Sequence, residues 1–394
     1  MAPEKRSRRD FLKLTGLAAA TLTIPSRGWS RIPGLKRDLT LYVGTYTSGK
    51  SEGIYIYRMN GMTGELTHFN TVKGVADPSF LAVDRRHRRL YAVNEVEQFL
   101  GKASGAVSAF SIDQKNGNLT FLNQQPTLGG APCHLIVDKT GSFVLVANYT
   151  GGNISVFPIK SDGSLDVATD MVQHHGSSIN KERQEGPHAH CIELDSSNQY
   201  AFAVDLGLDK VMIYKFDARN GKLVANKPDS VSLHAGDGPR HLTFDPRGNY
   251  AYVINELTNT VTAFTYNRTT GTLKETQTVS TLPADFSGEN TTAEIAVTPS
   301  GKFLYGSNRG HDSIVGFAID QNTGKLNLIE HVPTQGKTPR NFTIDPTGTF
   351  LLVANQGSDK IVSFRIDQAT GRLKSTGHVA QVPTPVCLVL APFQ

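Results

Sequence analysis

Residues 245–256 read DPRGNYAYVINE, residues 298–309 read TPSGKFLYGSNR, and residues 345–356 read DPTGTFLLVANQ. Looser copies lie upstream: DRRHRRLYAVNE at 84–95, DKTGSFVLVANY at 138–149 and DSSNQYAFAVDL at 195–206. A unit that recurs this regularly is a supersecondary element that becomes stable only against its neighbours, so the repeat decides the architecture. Around 245–256 the unit runs HLTFD, PRGN, YAYVIN, ELTNT, VTAFTYN, RTTGTLK. Apolar and polar residues alternate with period two, and DPxG and TG clusters punctuate the strands. Few stretches carry helical periodicity, so the chain reads as all-β.

Four strands in a unit of roughly 50 residues is the grammar of a propeller blade; the repeats of a β-helix or a leucine-rich horseshoe are shorter. First strands begin near Pro78, Pro132, Ala189, Pro239, Thr292, Pro339 and Pro385, which predicts seven blades. The last of them, PVCLVL, runs into the C-terminus with nothing to complete it, whereas LYVGTY, GIYIYRM and LTHFN near the N-terminus lack a first strand. The expected closure is a last blade of one C-terminal and three N-terminal strands, which hides the edges of an open ring. Residues 39–394 are therefore expected to form one seven-bladed β-propeller domain.

The formal charge is +5, but residues 1–30 hold six Lys or Arg against Glu4 and Asp10. The remainder carries 34 basic and 33 acidic residues. A nearly neutral body lacks the basic footprint that nucleic acid requires. The leader, SRRDFLK followed by LTGLAAATLTI, places paired Arg8 and Arg9 before a short apolar run, which reads as a twin-arginine export signal over 1–30 with a linker to 38. The run is shorter than the ~20 residues of a bilayer span, so stable membrane insertion is not expected. The expected location is periplasmic or secreted, with the twin-arginine translocation machinery as a partner and a monomer as the working form. Three cysteines, Cys133, Cys191 and Cys387, are an odd count in a domain with ample core, and read as packed thiols.

A position that only maintains a blade holds similar residues in every copy; two positions break that pattern. One follows the first-strand proline or its equivalent: Ser79, Cys133, His190, Arg240, Ala293, Arg340 and Val386. The other follows the Asn or Asp that ends the second strand in most copies: Tyr46, Glu95, Tyr149, Leu206, Glu256, Arg309 and Gln356. In an antiparallel pair the start of one strand and the end of the next share an end, so both sets surround one mouth of the central channel. Each ionisable residue there also has a structural use. Arg240 and Arg340 can bind loop carbonyls, Glu256 can neutralise Arg240, and His188 and His190 can cap a loop. Their convergence points to the handling of anionic oxygen.

The stretches GPHAHCIELD, GDGPRHLTFDPRGNYAYVINEL, AEIAVTPSGKFLYGSNRGHDSI and GKTPRNFTIDPTGTFLLVANQ resemble the lactonase family of seven-bladed propellers. That family contains propeller-type 6-phosphogluconolactonases and carboxymuconate-lactonising enzymes, and the resemblance spans the chain beyond the leader. It implies a catalytic set of a GPHAH histidine, His190 or else His188, with Arg240, Glu256 and Arg309; His188 and His241 are expected to bind substrate, as is Arg340 by its position. The implied activity is hydrolysis of a sugar lactone, 6-phosphogluconolactonase-like, at the channel mouth. Lactonising cycloisomerase activity, or an exported propeller that only binds an anion or a partner, are the alternatives.

Lactone hydrolysis needs an activated water and donors for the tetrahedral oxyanion, and no redox cofactor. Glu256 or His190 is the expected general base, Arg240 and Arg309 the oxyanion donors, and Arg340 the holder of a distal carboxylate or phosphate. No GxSxG is present, which speaks against a serine nucleophile. No metal site is expected: His188/His190 and His174/His175 lack a third ligand at zinc spacing, and the latter pair reads as solvated loop histidines.

Overall fold

The computed structural model describes residues 38–393. The export signal expected over 1–30 lies outside them. Seven four-stranded antiparallel sheets form the propeller, and the seventh is ordered Leu66–Lys73, Gly53–Met59, Leu39–Thr45, Pro385–Pro392. The expected closure of one C-terminal and three N-terminal strands is therefore present. Leu39 pairs with Pro392 and Val43 with Leu388 along that seam. We number the blades along the chain from Leu81–Val83, with the shared blade as blade 7. No helix among the described residues is long and apolar enough to cross a membrane.

The repeated DPxG is an Asp that caps its own turn. In blade 4 the Asp245 Oδ1 accepts the amides of Asn249 and Tyr250 at 2.6 and 2.7 Å, and Gly248 takes φ 64°. Asp138, Asp195 and Asp345 repeat the pattern. A buried carboxylate that collects several amide protons is satisfied without a cation, which is why Asp recurs there. The other repeated pair links neighbouring blades. Tyr252 Oη donates to Gly324 O at 2.9 Å, Tyr305 Oη to Gly371 O at 2.6 Å, and Tyr42 Oη to Gly117 O at 2.8 Å. Each accepting glycine sits in a turn of the next blade, TG for Gly324 and Gly371 and NG for Gly117, with positive φ.

Between blades lie apolar clusters, such as Tyr252, Ile254, Leu304 and Phe317 between blades 4 and 5, all nearly or completely inaccessible. Full burial of each such side chain stabilises by roughly 1.5–3 kcal/mol, so Tyr252→Ala would remove both this packing and the inter-blade hydrogen bond. The three thiols are free and buried.

One device aims the functional side chains. In blade 4 Pro239 pairs with Asn255 and His241 with Ile254, so Arg240 is the extra, unpaired residue of a β-bulge. The same shift isolates Cys133, His190 and Arg340. In blade 5 it spans Ala293 and Glu294. A bulge breaks the ladder and re-aims the residue it frees. The position that varies between blades is thus the bulge position.

Candidate active site

The second variable position lies beside the bulge, as antiparallel pairing requires. Gly238, at φ 59°, begins the arrangement: its amide donates to Asp209 Oδ1 at 2.7 Å and its carbonyl accepts the Glu256 amide at 2.7 Å. A side chain there would meet Leu257 in a backbone conformation that L residues avoid. Pro239 and Arg240 follow, so the GDGPRH motif sets Arg240 against Glu256.

Three guanidiniums converge on that carboxylate. Arg240 Nε lies 3.1 Å from Glu256 Oε2, Arg309 Nη2 lies 2.9 Å from the same oxygen, and Arg183 Nη2 lies 2.7 Å from Oε1. Burial alone would raise the pKa of Glu256, but Arg309, Arg240 and Arg183 outweigh it and bring it down to about 2. Burial lowers Arg309 to about 9 against the attraction of Glu256. A carboxylate engaged in this way is a clamp for arginines and a poor base near neutral pH.

Across the mouth, Arg340 Nη2 donates to Tyr46 Oη at 2.8 Å, and Tyr46 Oη lies 2.9 Å from both oxygens of Glu95. Tyr46, Glu95 and Tyr149 belong to the variable set, and each has a polar partner here. Cys133 lies among these groups, its thiol pushed up by burial, then by Glu95, and moderated by Arg240 and Arg340.

His190 is buried, with Nδ1 3.7 Å from the Cys133 thiol and its ring edge-on to Tyr149 and His241 at 5.5 and 5.2 Å. Burial, then Arg240, His241 and Arg340, holds it well below the usual imidazole value. It is a neutral imidazole at pH 7. His241 is in the same state. It sits under Arg240, whose Nη1 donates to His241 Nε2 at 3.1 Å and to Ala293 O at 2.7 Å, while His241 Nδ1 faces Glu294 Oε1 at 3.1 Å. Asn341 holds the other Glu294 oxygen. His241, expected to bind substrate, thus positions Arg240.

Two further sequence expectations change. His188 stacks on Tyr149 at 4.5 Å, with Nδ1 3.2 Å from Tyr149 O and Nε2 3.0 Å from Glu185. Both ring nitrogens are engaged, so His188 fastens the loop. His174 is not solvated: it is buried, its Nδ1 2.6 Å from Asp205 and its Nε2 3.0 Å from Tyr214 Oη. Asp205 occupies the position that is Asn in five other blades, and that exchange gives His174 its partner. His175 is exposed, as expected. The repeat comparison missed Arg183 altogether, because it lies in the insertion between Gln173 and Ala189, where no other blade has an equivalent.

Deeper in the channel, His134 Nε2, Cys191 Sγ and one Glu193 oxygen lie within 4.8 Å of one another. The Ile192 amide points at His134 Nδ1 at 3.4 Å, which leaves the ring proton on Nε2, facing Cys191 at 3.6 Å. A ligating histidine carries its proton on the other nitrogen and donates it outward, so this trio is not arranged for a metal.

The fold and mouth define a class, and comparison with known proteins agrees. The family described as "Lactonase, 7-bladed beta-propeller" matches residues 40–390, and the chain belongs to it. A 6-phosphogluconolactonase of Bacillus subtilis (strain 168) is 41% identical over 301 residues, covering 76% of this chain and 83% of that protein. A second 6-phosphogluconolactonase, from Formosa agariphila, is 38% identical over 77% of this chain and 85% of its own length. The solved periplasmic gluconolactonase PpgL of Pseudomonas aeruginosa superposes with a TM-score of 0.85 at 34% identity, covering 91% of this chain and 100% of that one.

Proposed function

We propose that the protein hydrolyses a sugar lactone at the channel mouth. The observation that carries the reading is the meeting of a neutral, buried imidazole with guanidinium nitrogens that no described residue engages. Among the described residues, Arg240 Nη2 has no protein partner, and neither do Arg340 Nε and Nη1. The relatives named for lactone hydrolysis support the same chemistry.

In this reading His190 takes a proton from water as the water oxygen bonds to the lactone carbonyl carbon. The resulting oxyanion meets Arg240 and Arg340, fixed in place before reaction, which is where such donors act most strongly. Collapse breaks the ring C–O bond, and the leaving alkoxide recovers the proton from the His190 imidazolium, giving the open hydroxy acid. Glu256 holds Arg240 and Arg309 and balances their charge. Of the two bases expected from sequence, His190 is kept and Glu256 set aside, and Arg340 joins Arg240 at the oxyanion while Arg309 is held on Glu256 and Thr292 O.

The test is steady-state hydrolysis by the purified protein of a panel of aldonolactones and muconolactones, with Arg240→Ala alongside. Removal of one such donor is expected to lower kcat by at least ~100-fold. Full activity of Arg240→Ala on a lactone that the wild type hydrolyses would overturn the assignment. The leader implies export, and the name of the Pseudomonas relative is compatible with that. Fractionation of cells expressing the whole chain, with Arg8→Lys and Arg9→Lys together, is expected to move the protein from the periplasm to the cytoplasm.

A further inference from the structure

Arg183 stands apart from the other guanidiniums of the mouth. Its side chain is 38% exposed, against 3% for Arg240 and 12% for Arg309. It is nevertheless held still. Nη2 binds both Glu256 Oε1 at 2.7 Å and Tyr149 Oη at 3.2 Å, and no described residue accepts from Nε or Nη1. A planar guanidinium fixed through Nη2, with its Nε hydrogen and both Nη1 hydrogens open to solvent, offers charge-assisted donors that a carboxylate or phosphate oxygen takes.

The insertion that delivers it is anchored on both sides of Arg183. His174 is bonded to Asp205, and Ser178 Oγ donates to Asp209 Oδ2 at 2.6 Å. The fully buried Gln184 donates to Leu206 O at 2.9 Å and to Asp209 Oδ1 at 2.7 Å. Asp209 also receives the amides of Gly236 and Gly238, just before Arg240. The loop that carries Arg183 is thus tied to the segment that carries Arg240, and the two guanidiniums keep a fixed relation. Little side-chain entropy remains to be lost when a ligand arrives, which is the condition for selective recognition.

We propose that Arg183 is a specificity-determining residue that receives an oxyanion, carboxylate or phosphate, carried by the lactone substrate at a distance from the reacting carbonyl. This rests on the lactonase reading of the mouth. It assigns substrate selection to an insertion outside the blade repeat, and it makes lactones with a second acidic group the preferred class over neutral ones.

The test compares wild type, Arg183→Gln and Arg183→Lys on three lactones: neutral glucono-δ-lactone, its 6-phosphate, and an aldarolactone with a free carboxylate. Removing the contact between Arg183 and Glu256 affects every substrate, so the readout is the ratio of kcat/KM for an acidic over the neutral lactone. Arg183→Gln is expected to lower that ratio by about tenfold or more, mainly through KM, with Arg183→Lys restoring part of it as a point charge with a different reach. The acidic lactone whose ratio falls further identifies the oxyanion as phosphate or carboxylate. An unchanged ratio, or equal losses on all three lactones, overturns the proposal. Calorimetric binding of inorganic phosphate and of gluconate separates it from the activity reading. If the wild type hydrolyses none of the lactones yet binds either anion more tightly than Arg183→Gln does, the receptor stands and the hydrolase reading falls. Equal binding by both proteins overturns the receptor.

Discussion

The two sides of the mouth treat a carboxylate in opposite ways. On the side of blades 4 and 5, Glu256 touches three guanidiniums directly. On the side of blades 6, 7 and 1, Glu95 reaches Arg340 only through the Tyr46 hydroxyl. Direct pairing suppresses proton affinity and locks the arginines, so the first side is a rigid, charge-dense frame. Relay through a neutral hydroxyl leaves two nitrogens of Arg340 unclaimed, so the second side keeps donor capacity for a ligand. A surplus of cations framing both sides suits an anionic transition state.

Changes on the crowded side are expected to be the most damaging. Glu256→Gln leaves three guanidiniums without their counter-charge, and breaking a buried pair in this way costs about 3–5 kcal/mol. Thermal unfolding of this variant is expected at a clearly lower temperature, with activity falling as Arg240 loses its support. A variant as stable as wild type would show that Glu256 is not the clamp.

On the relayed side, Tyr46→Phe is expected to lower kcat/KM by about tenfold, the effect of one charge-assisted hydrogen bond. Adding Glu95→Gln should then change little, because the two residues act through one hydroxyl. Additive losses in the double-mutant cycle would break the relay.

The pH profile separates the sides further. His190 lies well below 6.5 and Glu256 at about 2, so kcat/KM is expected to be flat from pH 6.5 to neutrality, with an acid limb below 6.5 that disappears in any residual activity of His190→Ala. The linkage on stability follows the same values. Glu256 is depressed below its ordinary 4.5, so its stabilisation is complete above pH 4.5 and is lost as pH falls toward 2. A limb midpoint above pH 6.5 would contradict the neutral imidazole.

The smallest effect concerns a carboxylate deeper in the channel that has no guanidinium partner among the described residues. Burial, then Glu294, pushes Glu193 up to about 8. A raised carboxyl means that stability declines between pH 4.5 and 8, so Glu193→Gln is expected to stabilise at pH 8.5 and to be neutral at pH 4.5. Channel water reaches a quarter of this side chain, which limits the gain to on the order of 1 kcal/mol. Equal melting shifts at both pH values would refute it.

Much of the molecule was legible in the chain. The seven starts, the shared last blade and the convergence of His190, Arg240, Glu256, Arg309 and Arg340 all follow from a unit compared with its own copies. Strand alternation, turn chemistry and the blade period are local properties, repeated often enough that their common purpose shows. What escaped was non-local. Arg183 has no counterpart in the other blades, so comparing copies passed over it. His174 looked like a surface histidine because its partner, Asp205, is 31 residues away. His188 and His241 were the right residue type in the right motifs, yet their ring nitrogens were already engaged by Tyr149 and Glu185, and by Arg240 and Glu294.

The amino-acid sequence by itself determined the propeller, its closure and the residues gathered at one mouth, since these depend on periodicity and on which ends of paired strands coincide. Only the tertiary structure decided what each residue does there. A bulge sets where a side chain aims, and contacts across blades decide which charges are already satisfied. Glu256 is therefore held by three arginines, and His190 lies buried among Cys133, Tyr149 and His241, through neighbours that lie far away in the chain.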